Sequence, residues 1–228
     1  MNARHARHLE EMGLTPLWRR RAAPADGTPG GQDGAPDELD WPALREAVAT
    51  CTRCPLSAAR TQSVFGVGDE NADWLVVGEA PGAEEDARGE PFVGQAGRLL
   101  DNMLKSIGLA RGANVYIANV LKCRPPGNRN PEPAEVAACA PYLARQIALL
   151  RPRIILASGR FAVQFLLGGD ASIASLRGTV HHYQGIPVIV TYHPAYLLRN
   201  PADKAKAWED LCLARATLAE PRPMDNPG

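Results

Sequence analysis

The chain has 228 residues with 25 basic and 25 acidic side chains, so its formal net charge is zero. This balance excludes a polybasic protein that coats DNA through its overall charge. No apolar run approaches the roughly 18 residues that a membrane-spanning helix needs, and the N-terminus lacks the apolar segment of a secretory signal. We therefore expect a cytoplasmic globular protein that works as a monomer.

The first 40 residues differ in composition from the rest of the chain. A short helix is predicted at residues 4–12, whereas residues 22–38 are rich in Gly, Pro and Asp and lack large apolar side chains. We interpret residues 1–40 as a flexible tail and linker. A docking helix for a protein partner is the alternative for the tail. Residues 220–228 are expected to form a flexible C-terminal tail.

Strands and helices alternate through residues 41–219. The predicted strands are residues 73–78, 115–120, 154–157, 179–183 and 188–191, the last two joined by a hairpin. The predicted helices are residues 41–50, 97–107, 133–150, 161–167 and 204–219. This alternation favours an α/β fold in which helices cover a parallel sheet. Ligands bind such sheets at the carboxyl ends of the strands, which here selects the loops after Val77, Val120 and Val190.

The loop after the first strand reads GEAPGAEED and continues into GEPFVGQAG. Glu79 stands one residue past the strand, where a carboxylate can point into a cleft. A solvated acidic turn is the alternative, and it suits Glu84, Glu85 and Asp86 better. Phe92 lies in a Gly- and Pro-rich stretch, so its ring is either a stacking platform or a hydrophobic plug. The chain has neither the GxGxxG fingerprint nor a P-loop, which excludes those two nucleotide sites.

Two further loops carry polar side chains at strand ends. Asn119 can pair its amide with a planar base edge, or it can be a buried structural residue. His193 can donate a hydrogen bond to developing negative charge. Beyond it, Leu197, Leu198 and Arg199 form either an exposed wedge for a base stack or a short helix whose leucines pack inward.

The cysteines are the strongest chemical signal in the sequence. Cys51 and Cys54 form a CxxC pair, and Cys123 and Cys139 follow at a wide spacing, so two distant segments can close one four-thiolate site. Structural zinc sites usually use two narrow pairs, so the spacing leans towards an iron–sulfur cluster and leaves zinc open. Cys212 has no partner at a ligand spacing, and we expect it to be buried in the core.

Together these segments resemble the family 4 uracil-DNA glycosylases, the iron–sulfur branch of that superfamily. The matching motifs are the four cysteines, GEAPG from residue 78, EPFVGQAGRLLD from residue 90, NVLKCRPPGNRNP from residue 119 and HPAYLLRNP from residue 193. The resemblance covers residues 41–219 and implies a glycosylase domain with a three-layer α/β/α fold around a central four-stranded parallel sheet. It also implies a [4Fe–4S] cluster on those cysteines. The implied activity is hydrolysis of the N-glycosidic bond of deoxyuridine in DNA, which starts base excision repair.

The resemblance also implies roles for individual residues. The catalytic pair would be Glu79 and His193. The uracil-binding residues would be Gly78, Ala80, Phe92 and Asn119. DNA would be contacted by Arg124, Arg129, Leu197, Leu198 and Arg199, with Lys122 as a further basic candidate. The best-known uracil glycosylases have an aspartate where this chain has Ala80, so water positioning by Glu79 is a hypothesis.

Two other functions stay open at this point. Some superfamily relatives trap uracil-DNA covalently, but they carry a histidine-bearing insert in the loop that here reads RPPGNRNP, and its lack of histidine counts against this alternative. A non-catalytic iron–sulfur or zinc module that binds nucleic acid or transfers electrons would explain the cysteines. It would leave the side chains at the strand ends unexplained.

Overall fold

The structure, a computed structural model, describes residues 36–219. The expectations for the helix at residues 4–12, for most of the tail and linker, and for residues 220–228 lie outside the described residues. The described chain begins with a single 3₁₀ turn, Pro36–Glu38, before the first helix. None of the described helices is both long enough and apolar enough to cross a membrane.

Six strands of the described chain form one sheet. They are β1 Val67–Gly68, β2 Trp74–Gly78, β3 Val115–Asn119, β4 Ile154–Ser158, β5 Val180–Tyr183 and β6 Ile186–Thr191. Their order across the sheet is β1-β3-β2-β4-β6-β5. The central four strands are parallel, as predicted, and the edge strands β1 and β5 are antiparallel. Strand β1 was not predicted because two residues carry no periodic signal.

Nine α-helices accompany the sheet in the described residues. They are α1 Trp41–Ala49, α2 Leu56–Ala59, α3 Ala83–Arg88, α4 Gln95–Ser106, α5 Pro133–Leu150, α6 Arg160–Leu167, α7 Ile173–Leu176, α8 Pro194–Arg199 and α9 Lys204–Ala219. The five helices predicted from periodicity are all present. The other four have at most six residues, which is too short for a 3.6-residue pattern. Asp40 caps α1 as predicted, and its carboxylate accepts a hydrogen bond from the Ala43 amide at 3.0 Å.

Helices cover both faces of the sheet, so β2, β3 and β4 are buried along their whole length and β6 is buried from Val188 onwards. Leu75 and Val77 of β2 pack with α5 and α6 on one face. Trp74 and Val76 of the same strand pack with α4 and α9 on the other face. This alternation along one strand produces the predicted three-layer α/β/α architecture.

The register of the parallel strands fixes the position of the candidate site. Gly78 at the end of β2 lies opposite Asn119 at the end of β3, and Ser158 of β4 lies opposite Thr191 of β6. The four central strands therefore end together, and the loops that follow them meet at one edge of the sheet.

The last helix corrects one expectation about the cysteines. Leu211 is buried as expected, but Cys212 is exposed. Neighbouring residues of an α-helix point about 100° apart. Once Ala207, Leu211 and Ala214 face the core, Cys212 turns towards solvent.

Candidate functional site

A cleft of about 770 Å³ opens at the carboxyl edge of the sheet. Volumes of roughly 300–1,000 Å³ are typical of sites for small organic ligands. The cleft is lined by residues that follow β2, β3 and β6, as the sequence predicted, and by Gly159 and Arg160 after β4, which the sequence did not single out. The predicted residues that line it are Glu79, Ala80, Phe92, Asn119, Arg129, His193 and Arg199.

Glu79 is the acidic side chain that the first loop brings to this cleft. Burial raises the pKa of its carboxyl group above the ordinary value of 4.5, and the nearby positive charge of Arg160 opposes that shift. The main chain around it is fixed, because the carbonyl oxygen of Glu79 accepts a hydrogen bond from the Leu121 amide at 3.0 Å. Glu79 is therefore a partly desolvated carboxylate held at a fixed place beside one cation.

Phe92 is held in the cleft by an unusual main-chain conformation. Its φ is +56°, and Arg111 donates hydrogen bonds to its carbonyl oxygen at 2.7 Å and to that of Pro91 at 2.8 Å. Two glycines make the space for it. A Cβ on Gly97 would lie 1.7 Å from the Phe92 carbonyl oxygen, and one on Gly78 would lie 2.6 Å from its ring. Backbone strain of this kind costs about 1–3 kcal/mol and concentrates at functional sites.

Asn119 lies beside that ring and is almost fully buried. A Cβ on Gly78 would come within 2.4 Å of its Oδ1 atom, so the glycine also makes room for this amide. Among the described residues, none donates a hydrogen bond to Oδ1. A buried acceptor without a donor is costly, so this atom is set to receive a hydrogen bond from a ligand.

His193 caps helix α8 and presents its ring to the same cleft. Its Nδ1 atom accepts a hydrogen bond from the Ala195 amide at 3.2 Å, so the proton of the neutral ring lies on Nε2. Removal from water, helped by the charge of Arg199, lowers the pKa of His193 to about 4. The ring stacks on Phe92, with 5.4 Å between the ring centroids. His193 is thus a neutral hydrogen-bond donor with a fixed orientation.

Glu85 is a residue that sequence reasoning assigned wrongly. Its carboxylate accepts hydrogen bonds from the amides of Gly82, Val93 and Gly94 at 3.0–3.2 Å, so it ties the loop of Glu79 to the loop of Phe92. Asp86 is buried as well and accepts from the Thr61 amide. Neither is a solvated residue of an acidic turn; the sequence hides this because their partners are main-chain groups.

The structure also adds two aromatic residues to the cleft. Tyr192 and Tyr196 both line it, and their rings stack with 4.9 Å between centroids. The Tyr196 hydroxyl donates to Asp203 at 2.7 Å. The motif HPAYLLRNP contains Tyr196, but its spacing alone does not distinguish a cleft residue from a core residue.

The structure places the three arginines predicted to contact DNA at or beside the cleft, and it separates the two predicted leucines. Arg129 and Arg199 line the cleft, and Arg124 donates a hydrogen bond to Asn128, which also lines it. Leu198 is exposed, but Leu197 is buried in the core, so the prediction that both leucines form an exposed wedge is wrong. These residues form a short helix with only one leucine outward, because side chains one position apart point about 100° apart.

Lys122 is also misassigned as a surface cation. Its side chain is only 1% exposed and cannot reach a phosphate on a DNA surface. Its ammonium group instead donates hydrogen bonds to the Asn119 carbonyl oxygen at 2.9 Å and to Gln146 Oε1 at 2.6 Å. The basic surface of the cleft is therefore made by arginines.

The four predicted ligand cysteines meet at a second site. Cys51, Cys54, Cys123 and Cys139 line one pocket between α1, α2, the segment after β3 and α5. The Arg60 guanidinium donates to Cys123 Sγ at 3.0 Å, and the Lys122 amide donates to Cys139 Sγ at 3.3 Å. Within residues 36–219, no three His, Cys, Asp or Glu side chains converge as ligands of a single metal ion.

These observations first define a class: an α/β protein with a cleft for a planar polar ligand at the carboxyl edge of its sheet and a separate four-cysteine site. The chain belongs to the Uracil DNA glycosylase superfamily, whose sequence profile matches residues 65–212. The resemblance stated from the motifs is thereby confirmed.

Several relatives carry the name type-4 uracil-DNA glycosylase. The protein from Archaeoglobus fulgidus is 48% identical over 162 residues, which cover 68% of this chain and 81% of the relative. That from Pyrobaculum aerophilum is 43% identical over 183 residues, covering 77% and 93%. That from Thermotoga maritima is 46% identical over 165 residues, covering 72% and 85%.

Proposed function

We propose that this chain removes uracil from DNA by hydrolysing the N-glycosidic bond, the activity that its type-4 relatives are named for. The observation that carries the proposal is the buried, unpaired Oδ1 atom of Asn119 beside the ring of Phe92. Uracil has an N3–H group that can donate to this atom, and cytosine has none. A site built to bond one group discriminates against an analogue without it by roughly 10⁴–10⁵.

The substrate base is stacked inside duplex DNA, so it must leave the stack to enter the cleft. Phe92 would then stack on the flipped base while Asn119 bonds its polar edge. The exposed side chain of Leu198 and the cation of Arg199 lie on one short helix at the rim, where they would contact the opened duplex and its phosphates. Arg124 and Arg129 extend the basic rim on the loop after β3.

Cleavage leaves negative charge on the base and positive charge on the sugar. His193 would donate its Nε2–H to a uracil oxygen as that charge develops. A neutral donor suits this step, because it stabilises the developing anion through a hydrogen bond and does not have to give up its proton. Glu79 would stabilise the sugar cation or orient the attacking water; Ala80 offers no carboxylate that could share the task.

The catalytic roles are tested by two variants measured together. Glu79→Gln and His193→Ala should each lower the rate of uracil release about 100-fold or more, as the loss of one charge-stabilising group usually does. Both should still bind uracil-DNA, which a fluorescence polarisation assay measures. Near-full excision by Glu79→Gln with normal DNA binding would remove Glu79 from the mechanism. A persistent protein–DNA adduct on a denaturing gel would contradict hydrolysis.

We propose further that Cys51, Cys54, Cys123 and Cys139 hold a [4Fe–4S] cluster. The four thiols share one pocket, two of them already accept hydrogen bonds, and the wide spacing of Cys123 and Cys139 is unlike the narrow pairs of structural zinc sites. Burial raises the pKa values of the Cys123 and Cys139 thiols, so loading the site would release protons. When bound, the cluster supplies a cross-link between the start of the domain and the segment after β3.

Iron and acid-labile sulfide analysis with visible absorbance tests the cluster. Cys139→Ser should lose iron and absorbance, whereas Cys212→Ser, at an exposed cysteine outside the pocket, should keep both. A stoichiometric zinc content without iron would contradict the proposal.

We also propose that the protein acts as a monomer in the cytoplasm. None of the five cysteines forms a disulfide in the structure, as is usual for proteins of a reducing compartment. Light scattering of the purified protein tests the monomer.

A further inference from the structure

Lys122 is a fully buried basic side chain that the proposed mechanism leaves unused. Lys122 and two other buried side chains form one polar network: its ammonium group donates to Gln146, and Gln146 in turn donates to the main-chain carbonyl oxygen of Phe65 at 3.0 Å and to the Tyr116 hydroxyl at 3.4 Å. Burying an ammonium group costs free energy because the charge is removed from water, and well-placed hydrogen bonds must offset that cost. The groups that bond the Lys122 ammonium group must therefore be held at fixed positions.

The place that it fixes is the end of β3. The ammonium group donates to the carbonyl oxygen of Asn119, three residues earlier, at 2.9 Å. The side chain of that same residue carries the unpaired Oδ1 atom in the cleft. Since the main chain of Asn119 sets where its amide lies, the bond from Lys122 controls the geometry of the polar group in the cleft.

The main chain of Lys122 faces the other site. Its amide donates to Cys139 Sγ at 3.3 Å, its carbonyl oxygen accepts from the Val64 amide at 2.7 Å, and Cys123 is the next residue. One residue thus touches both the end of β3 in the cleft and the wall of the cysteine pocket. These contacts join the two sites through a single residue.

We propose that Lys122 is a positioning residue for Asn119: its buried ammonium group holds the amide of Asn119 where it can bond the uracil edge, and it ties that geometry to the cysteine site. This inference rests on the proposed role of Asn119 in uracil recognition. It assigns the lysine of the motif NVLKC to base recognition through Asn119 and not to phosphate contact.

A double-mutant cycle between Lys122 and Asn119 tests the proposal, with single-turnover uracil release from an oligonucleotide as the readout. Lys122→Met keeps the length of the side chain but removes its charge and its donors. It should lower the rate about tenfold or more in the wild-type background, since a lost hydrogen bond from a charged group is worth about 1.5–3 kcal/mol. In an Asn119→Ala background the same change should lower the rate less than about threefold, because the side-chain amide that Lys122 is proposed to position is already absent.

The control variant is Lys105→Met, the same substitution at an exposed lysine of α4, which should leave the rate unchanged in both backgrounds. An equal loss from Lys122→Met in both backgrounds, or no loss at all, would overturn the proposal. Iron content is measured for every variant. If Lys122→Met loses iron, Lys122→Gln, which is shorter but keeps a polar group for Gln146, replaces it in the cycle. Loss of iron in both would overturn the proposal, because Lys122 would then serve the cysteine site alone.

The role of Asn119 in uracil recognition is tested separately from the role of Lys122. If Asn119→Ala retains the wild-type rate, the proposed role of Asn119 is wrong, whatever Lys122 does. If Asn119→Ala is slow but the cycle shows no coupling, only the inference about Lys122 is overturned.

Discussion

At the scale of single residues, the site depends on side chains whose charge state is set by their surroundings. His193 has a pKa of about 4 because its ring is removed from water, and the Ala195 amide fixes which nitrogen carries the proton. Burial also raises the pKa of Glu79, with Arg160 limiting the shift. The site therefore combines a neutral donor with a carboxyl group whose pKa is raised by burial.

These pKa shifts predict the pH dependence of uracil release. We expect no inflection near pH 6.5, the ordinary pKa of histidine, because His193 stays neutral down to about pH 4. The acid limb should belong to Glu79, at a pH above its ordinary value of 4.5, and should disappear in the residual activity of Glu79→Gln. Rates measured across the acid range at constant ionic strength check this. An inflection near pH 6.5 that persists in Glu79→Gln would contradict the neutral-donor role.

The lowered pKa of His193 also predicts how the free energy of unfolding changes with pH. The folded-state pKa of His193 lies below its unfolded value of 6.5, so the unfolded chain takes up a proton first as the pH falls. Its contribution to the free energy of unfolding is therefore complete above pH 6.5 and is lost progressively between about 6.5 and 4.

At the scale of elements, glycine and main-chain hydrogen bonds shape the cleft more than side-chain packing does. Gly97, in the first turn of α4, lets the helix pass directly against the strained main chain of Phe92. Arg111 and Glu85 then bind main-chain groups of the same loop. The cleft is thus rigid before any ligand enters, which lowers the cost of ordering it on binding.

A pair of glycine substitutions tests this dependence. Gly97→Ala puts a Cβ 1.7 Å from the Phe92 carbonyl oxygen, so the loop must move. We expect the free energy of unfolding to fall by about 3 kcal/mol and uracil release to fall with it. Gly108→Ala is the control: its φ is +80°, but the Cβ would meet no atom within 4 Å, so it should cost only about 1 kcal/mol of strain and leave the rate unchanged. Chemical denaturation and single-turnover kinetics measure both effects. Equal rates for the two variants would contradict the role of Gly97 in holding the main chain of Phe92.

An element could be predicted where its residues follow a recognisable apolar pattern in the sequence. Buried parallel strands and long helices carry apolar patterns, so β2, β3, β4 and α5 could be predicted. Glu79, Asn119 and His193 could be placed in the cleft because parallel strands end at one edge. Glu85 and Lys122 could not be assigned, because neither kind of partner leaves a pattern in the sequence. Glu85 accepts from main-chain amides, and Lys122 donates to a nearby carbonyl oxygen and to the distant Gln146 side chain. Leu197 was misplaced because a six-residue helix has no readable period.

At the scale of the whole molecule, zero net charge coexists with a basic cleft. Arg160 and Arg199 line the cleft, and Arg129 lines it while paired with Glu135. Local charge of this kind binds phosphates without making the entire surface attractive to nucleic acid. The composition thus excludes a DNA-coating protein but not a protein that acts on DNA.

Salt dependence measures this local charge. If three arginines each neutralise one phosphate, the logarithm of the affinity for duplex DNA should fall with the logarithm of salt concentration with a slope of about −2.7, or roughly −0.9 per contact. Arg160→Met should reduce the magnitude of the slope by about 0.9. Arg88→Met, at an exposed arginine of α3 outside the cleft, makes the same charge change and should leave the slope unaltered. Equal slopes for wild type and Arg160→Met would exclude a phosphate contact by Arg160.

The most direct test of the central claim is uracil release from matched oligonucleotides that carry one uracil or one cytosine at the same position. The account predicts free uracil and an abasic site from the first oligonucleotide and no detectable release from the second. It also predicts that Asn119→Ala loses most of the activity on uracil while the protein remains folded. Equal release of both bases, or no release of uracil by folded protein with its iron intact, would contradict the account.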